Sequence, residues 1–197
     1  MKLVAGSILI TAAALAAPMT QAERDDLLKS LERTRQIYID AMKNVTDAQW
    51  NFKPAPERWS VGECAAHIVA TEHALFGFVT DKVMKSPAVE RATVKNAQTD
   101  DGVKSFIVDR SKKAKAPPML EPKGNPLSRE EAIAKFEQAR AKTVEYVRNT
   151  QEDLRSHVGQ GAQAMDAYQY LLMLSGHTER HVMQAKEVMA SEGYPKN

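Results

Sequence analysis

Two histidines four residues apart, in His177-Thr-Glu-Arg-His181, are the residues of this chain best placed to do chemistry together. That spacing puts both imidazoles on one face of a helix, a single turn apart, so both can reach one point. His67 lies more than a hundred residues earlier, in another helical stretch and on or beside an apolar stripe. Two ligands from one helix and a third from a neighbour is how a helical bundle holds a divalent metal and leaves coordination positions open. Three neutral imidazoles leave the ion's charge intact. A water in the open position is then acidified towards a pKa of about 7, or a thiolate binds there instead. The competing reading is that the three are core-edge histidines satisfied by backbone carbonyls or buried water, and the spacing alone does not exclude it.

The other two histidines serve as controls. His73 follows His67 by six residues, about 240° round a helix, so the two cannot face one ion. His157 sits in a polar, Gly-rich connection and reads as exposed. No general base stands out. Glu63 is one turn before His67, but a capping role explains it; Glu179 falls on a different face from the pair. Thr71 and Gln184 each lie near a ligand's face, where they can orient an imidazole or a bound water. Trp50 and Trp59 read as anchors of a turn-rich link over residues 47–59, with substrate stacking the lesser reading.

The elements that must position these groups are helical, and nothing reads convincingly as a sheet. The first stretch runs from about Arg24 to Thr46, with Leu27, Leu31, Thr34, Tyr38, Ala41 and Val45 in one stripe. The second starts at Ser60, where Ser60-Val-Gly-Glu63 fits a capping box, and carries Cys64, His67, Ile68 and Val79 to about Lys85. The third repeats the device in Ser128-Arg-Glu-Glu131 and fades near Asn149. The fourth runs from about Met165 to Ser191, with Leu174, His177, His181, Ala185 and Val188 sharing a stripe. The expected fold is therefore an all-α, four-helix bundle. Residues 86–127 are too long for a plain connection, so a short extra helix is expected from about Asp100 to Lys112. The Pro-rich return that follows either walls a pocket or packs over one bundle end.

At 197 residues the chain suits one domain. Lys2, the apolar run Leu3–Leu15 and the Thr20-Gln21-Ala22 site read as a secretory signal peptide over residues 1–22, leaving a domain over residues 23–197 in an export compartment such as the periplasm. The apolar run is shorter than the ~20 residues a membrane span needs, so stable membrane insertion of the mature chain is not expected. Removing Lys2 takes the formal charge from +2 to +1, which gives no electrostatic case for nucleic acid or an anionic membrane. The one basic cluster, Lys112-Lys113-Ala114-Lys115, reads as a solvated loop edge. A single cysteine, Cys64, excludes an internal disulfide and reads as a small buried apolar residue rather than a ligand.

Thr46-Asp-Ala-Gln-Trp50, Phe52-Lys-Pro-Ala-Pro56 and Arg58-Trp59-Ser60-Val-Gly-Glu63-Cys-Ala-Ala-His67-Ile resemble the opening signature of the DinB/YfiT-like superfamily. His177-Thr-Glu-Arg-His181-Val-Met-Gln184 is similar to its closing signature; Asp109-Arg110, Pro117 and Pro122-Lys-Gly124 resemble the middle of one subgroup. The resemblance spans about residues 24–190. It implies a four-helix bundle, often binding nickel, zinc or iron through three histidines, which by motif position are His67, His177 and His181. It also admits a homodimer formed through helix faces. Relatives include thiol-dependent transferases and metal-dependent hydrolases, but an exported chain is out of place for thiols that are largely cytosolic. Three functions follow as expectations: a metal-dependent hydrolase or transferase acting on a small molecule, a non-catalytic metal-binding or stress-related protein, or a bundle whose histidines only pack.

Overall fold

The computed structural model describes residues 17–122, 124, 127–159 and 164–196. Most of the expected signal peptide, residues 1–16, lies outside them. Six α-helices follow in order: α1 Gln21–Met42, α2 Asp47–Asn51, α3 Val61–Asp81, α4 Asp100–Val108, α5 Arg129–Asn149 and α6 Ala167–Met189. Helices α1, α3, α5 and α6 are the expected bundle, α4 is the expected extra helix, and α2 is a single short helix inside the link after α1. Among the described residues there is no strand, only two isolated bridges, Ala97 with Ala164 and Val158 with Asp166. No described helix is long and apolar enough to cross a membrane.

The helices start where the sequence supplies capping chemistry. Both expected boxes form: Ser60 accepts from the Glu63 amide at 3.1 Å, and the Ser60 amide donates back to the Glu63 carboxylate at 2.8 Å. Ser128 and Glu131 do the same. Three further boxes, Thr20 with Glu23, Thr46 with Gln49 and Asp166 with Gln169, open α1, α2 and α6. Each satisfies donors that a bare helix end leaves orphaned.

The apolar stripes face one another in two stacked clusters. One gathers Leu27, Leu31, Val79, Val147, Leu171 and Leu174; the other, nearer the histidines, gathers Tyr38, Cys64, Ile68, Phe136, Val182 and Ala185. Between them lies a buried polar node that joins all four long helices. The Arg140 guanidinium, fully buried, donates to Glu72 at 3.1 and 2.5 Å, to Thr178 at 3.0 Å, to Thr34 at 2.7 Å and to the Leu31 carbonyl at 2.6 Å. A charged pair out of water holds only when its remaining hydrogen-bonding capacity is filled, as here. Helix α4 lies against α6 at Gly176, where an added Cβ would sit 2.3 Å from Ile107 Cγ2. Only a glycine allows so close an approach.

The start of α1 bears on the expected domain boundary. Thr20 is its N-cap, and Met19 before it is 5% exposed within the core. Residues 19–22 are thus part of the folded domain, and the expected boundary after Ala22 falls inside the first turn of α1.

Candidate metal centre

His67 and His181 are buried at 3% and 9% exposure, and His177 is partly exposed beside them. Helix α3 carries the first and α6 the other two, as the spacing predicts. Ring centroids are 5.0 Å apart for His67 and His177, 4.4 Å for His67 and His181, and 4.4 Å for His177 and His181. One nitrogen from each lies within 4.8 Å of the others, and among the described residues no further His, Cys, Asp or Glu joins the group.

The hydrogen bonds fix which nitrogens face inward. His67 Nδ1 lies 2.7 Å from the Leu120 carbonyl. A carbonyl only accepts, so Nδ1 carries the proton and Nε2 presents a bare lone pair. His181 Nδ1 is 2.8 Å from Gln184 Oε1, with the same consequence. His67 Nε2 faces His177 Nε2 at 3.2 Å. Two nitrogens each ~2.1 Å from one ion, at about 90–110° to each other, stand about 3.0–3.4 Å apart. The donor set and its spacing fit a divalent ion, which would also relieve the crowding of inward-facing lone pairs.

Burial lowers the pKa of all three. His177 falls to about 3, with the His67 ring next in effect, and His181 to about 2, with the His177 ring next. His67 is lowered by burial against the opposing pull of its Leu120 bond. The imidazoles are therefore neutral at ordinary pH, the form that binds metal.

The surroundings hold the rings in place. Gln184 also accepts from Arg110 at 3.4 Å, and Arg110 is paired through two nitrogens with Glu187, at 3.0 and 2.7 Å. Trp59 packs against His67 and His181, at centroid distances of 4.9 and 5.8 Å. Its place is thus at the site as well as in the link, whereas Trp50 is buried away from it and donates to the Leu127 carbonyl. Above the trio opens a cavity of about 830 Å³, walled in part by Ile107, Pro117 and Leu120. The Pro-rich return is therefore a pocket wall. Gln184 accepts from an imidazole, that of His181, as its position suggested; Thr71 is buried, but its hydroxyl has no partner among the described residues. Glu63 caps α3 and pairs with Lys53, and Glu179 pairs with Arg33. His73 is exposed, while His157 is half-buried, its Nδ1 donating to the Ser86 carbonyl at 2.8 Å.

Sequence reasoning did not reach Leu120, whose backbone oxygen does the orienting, and it marked Arg110 only within the family resemblance, without a role. A main-chain acceptor in a loop leaves no side-chain signal. Removal of the Gln184 amide, as Gln184→Ala, is expected to weaken metal affinity by about 10–100-fold with the helical content unchanged. Competition against a chromophoric chelator measures it, and unchanged affinity contradicts the positioning role.

A helical bundle with three histidines from two of its helices under an open cavity defines a class of candidate metalloproteins. The chain belongs to the DinB superfamily, whose profile matches residues 30–185. It is also similar to the uncharacterized protein YuaE of Bacillus subtilis (strain 168), at 24% identity over 151 residues, 75% of this chain and 87% of that protein. No solved structure matches it.

Proposed function

We propose that this chain is an exported, metal-dependent enzyme that hydrolyses a small molecule, or transfers a group to or from one, over His67, His177 and His181. The observation that carries the reading is the open cavity of about 830 Å³ directly above the three imidazoles. A store or scaffold needs no such space, since a structural metal site closes its fourth position with protein. Zinc, nickel and iron all suit an imidazole set. Such an ion supplies a Lewis acid that polarises a carbonyl, acidifies a water or accepts a thiolate. The chain's own residues do the rest. Leu120 and Gln184 hold the Nδ1 protons of His67 and His181, so the ligands do not reorient. Trp59 and Ile107 line the cavity with apolar surface, which lowers the local dielectric and strengthens every charge interaction inside it.

The test begins with elemental analysis of protein taken from its native compartment. Cobalt(II)-loaded protein is then titrated with thiocyanate. A change in the visible spectrum is the expected result, and a spectrum indifferent to added ligand removes the enzymatic reading in favour of a closed metal site. Substrate profiling of the loaded form follows.

Export carries its own expectation about processing. A cut after Ala22 would remove Met19 from the core and Thr20 from the α1 cap, the latter alone costing about 1 kcal/mol. Ala14-Leu15-Ala16 also offers small residues at the positions signal peptidase reads, and a cut there spares both. The exported protein is expected to begin at Ala17, as intact mass will show. A chain beginning at Glu23 contradicts this placement, and an unprocessed chain retained in the cytosol contradicts export.

A further inference from the structure

Lys112 and Lys113 lie at the cavity over the metal centre rather than on a remote loop edge, and Arg58 lines the same cavity beside Trp59. Six cationic side chains line it against four carboxylates. Several of these charges are already engaged. Arg110 holds Glu187 at 2.7 Å, and Lys115 faces Glu121 at 3.8 Å. Asp109 accepts from the Ser111 amide and hydroxyl at 2.9 and 2.6 Å. Arg180 is spent on the backbone, donating to the carbonyls of Ile107 at 3.2 Å and of Asp109 and Lys112 at 2.5 Å. The side chains of Arg58, Lys112 and Lys113 make no hydrogen bond or ion pair among the described residues, though Arg58 acts at longer range on Glu187 and Lys112 on Asp109. Glu57 is the one lining carboxylate whose side chain is likewise unpaired among them. A divalent ion on three neutral imidazoles would add two more positive charges with no carboxylate among its ligands.

The apolar part of the lining is equally definite. Trp59, Phe106, Ile107, Pro117 and Leu120 offer ring and aliphatic surface in the same cavity as the imidazoles and the cationic side chains. Phe106 is 47% exposed, a large apolar side chain left in water at a cavity edge. The volume suits a molecule of drug-like size.

Resting on the reading of the trio as an open metal centre, we infer that the site takes a small organic acid. An apolar body lies along Trp59, Phe106 and Ile107, and its carboxylate meets one or more of the unpaired cations Arg58, Lys112 and Lys113. The group that reacts points at the imidazoles. Cationic side chains lining a cavity attract such an acid and repel an amine of the same shape, which is selection by charge as well as by contact.

Three matched probes test this on cobalt(II)-loaded protein: 4-carboxybenzohydroxamate, benzohydroxamate and 4-(aminomethyl)benzohydroxamate. All carry the same metal-binding head and ring and differ in the para substituent: an anion, a hydrogen or a cation. The acid is expected to bind about tenfold more tightly than the neutral probe at low salt, and the amine more weakly than either. The preference should shrink at high salt. It should largely vanish in the combined Arg58→Gln, Lys112→Gln, Lys113→Gln variant, with benzohydroxamate affinity unchanged. Equal affinity for the three probes, or an acid preference that survives the substitutions, overturns the inference while leaving the metal centre standing. If even benzohydroxamate leaves the cobalt spectrum untouched, the open-site reading fails instead. Metal-free protein then decides the charge question through tryptophan quenching by 2-naphthoate against 2-naphthalenemethanol. Stronger quenching by the acid, lost in the triple variant, keeps the inference; equal quenching removes it.

Discussion

Replacing His181 with alanine is expected to abolish stoichiometric metal binding and leave the bundle folded. Zinc sites with four protein ligands bind with apparent free energies of about 10–16 kcal/mol, so one ligand is worth on the order of 3 kcal/mol, more than a hundredfold in affinity. The fold has little at stake in this ring. Its one hydrogen bond is to Gln184, a neighbour on the same helix, and its burial is that of a polar group in an apolar setting. Elemental analysis and far-ultraviolet circular dichroism separate the two effects. Metal lost from an intact helical spectrum supports the centre, whereas metal retained at full stoichiometry shows that the imidazoles only pack.

The largest effect on stability is expected from Glu72→Ala. Arg140 is fully buried, and Glu72 is 2% exposed and supplies both oxygens of the pair. Truncating the acid leaves a guanidinium charge deep in the bundle with only two threonine hydroxyls and one carbonyl. Breaking such a pair from one side costs about 3–5 kcal/mol. For a domain of this size each kcal/mol shifts the melting temperature by about 2–4 °C, so a fall on the order of 10 °C is expected. The double variant Glu72→Leu, Arg140→Met removes both charges and should recover much of the loss. A single variant that melts with the parent would show that water reaches the pair. Because Thr178 and Glu72 are bonded to each other at 2.9 Å and Thr178 follows His177, the single variant should also loosen the histidine pair.

Much of this was legible in the chain. The 3.6-residue stripes place all four long helices, and Ser60-Glu63 and Ser128-Glu131 mark two of their starts within a residue. His177 and His181 declare themselves through spacing, since one helical turn is a local property. Their meeting with His67 is not local: it depends on the packing of α3 against α6. The place of His67 on or beside an apolar stripe of another helix suggested it, and the family resemblance strengthened it. The Arg140–Glu72 pair was not legible because its members are 68 residues apart, and a charged residue in an apolar stripe reads as an interruption until its partner is in view. The basic cluster at Lys112 is the exposed loop edge that composition describes, but only the path of the chain after α4 brings it to the cavity. The Thr20 cap was hidden by the apolar run before it, which draws attention to processing rather than to folding.

The lone sulfhydryl has a wider consequence. Cys64 has no exposed surface, and burial pushes its pKa up to about 12. It is therefore neither a nucleophile nor a target for oxidants under ordinary conditions. The described domain draws no covalent help from its surroundings and offers no thiol for scrambled cross-links. Its architecture is indifferent to redox poise, so material made in a reducing host and material recovered from an oxidising compartment should share one set of contacts.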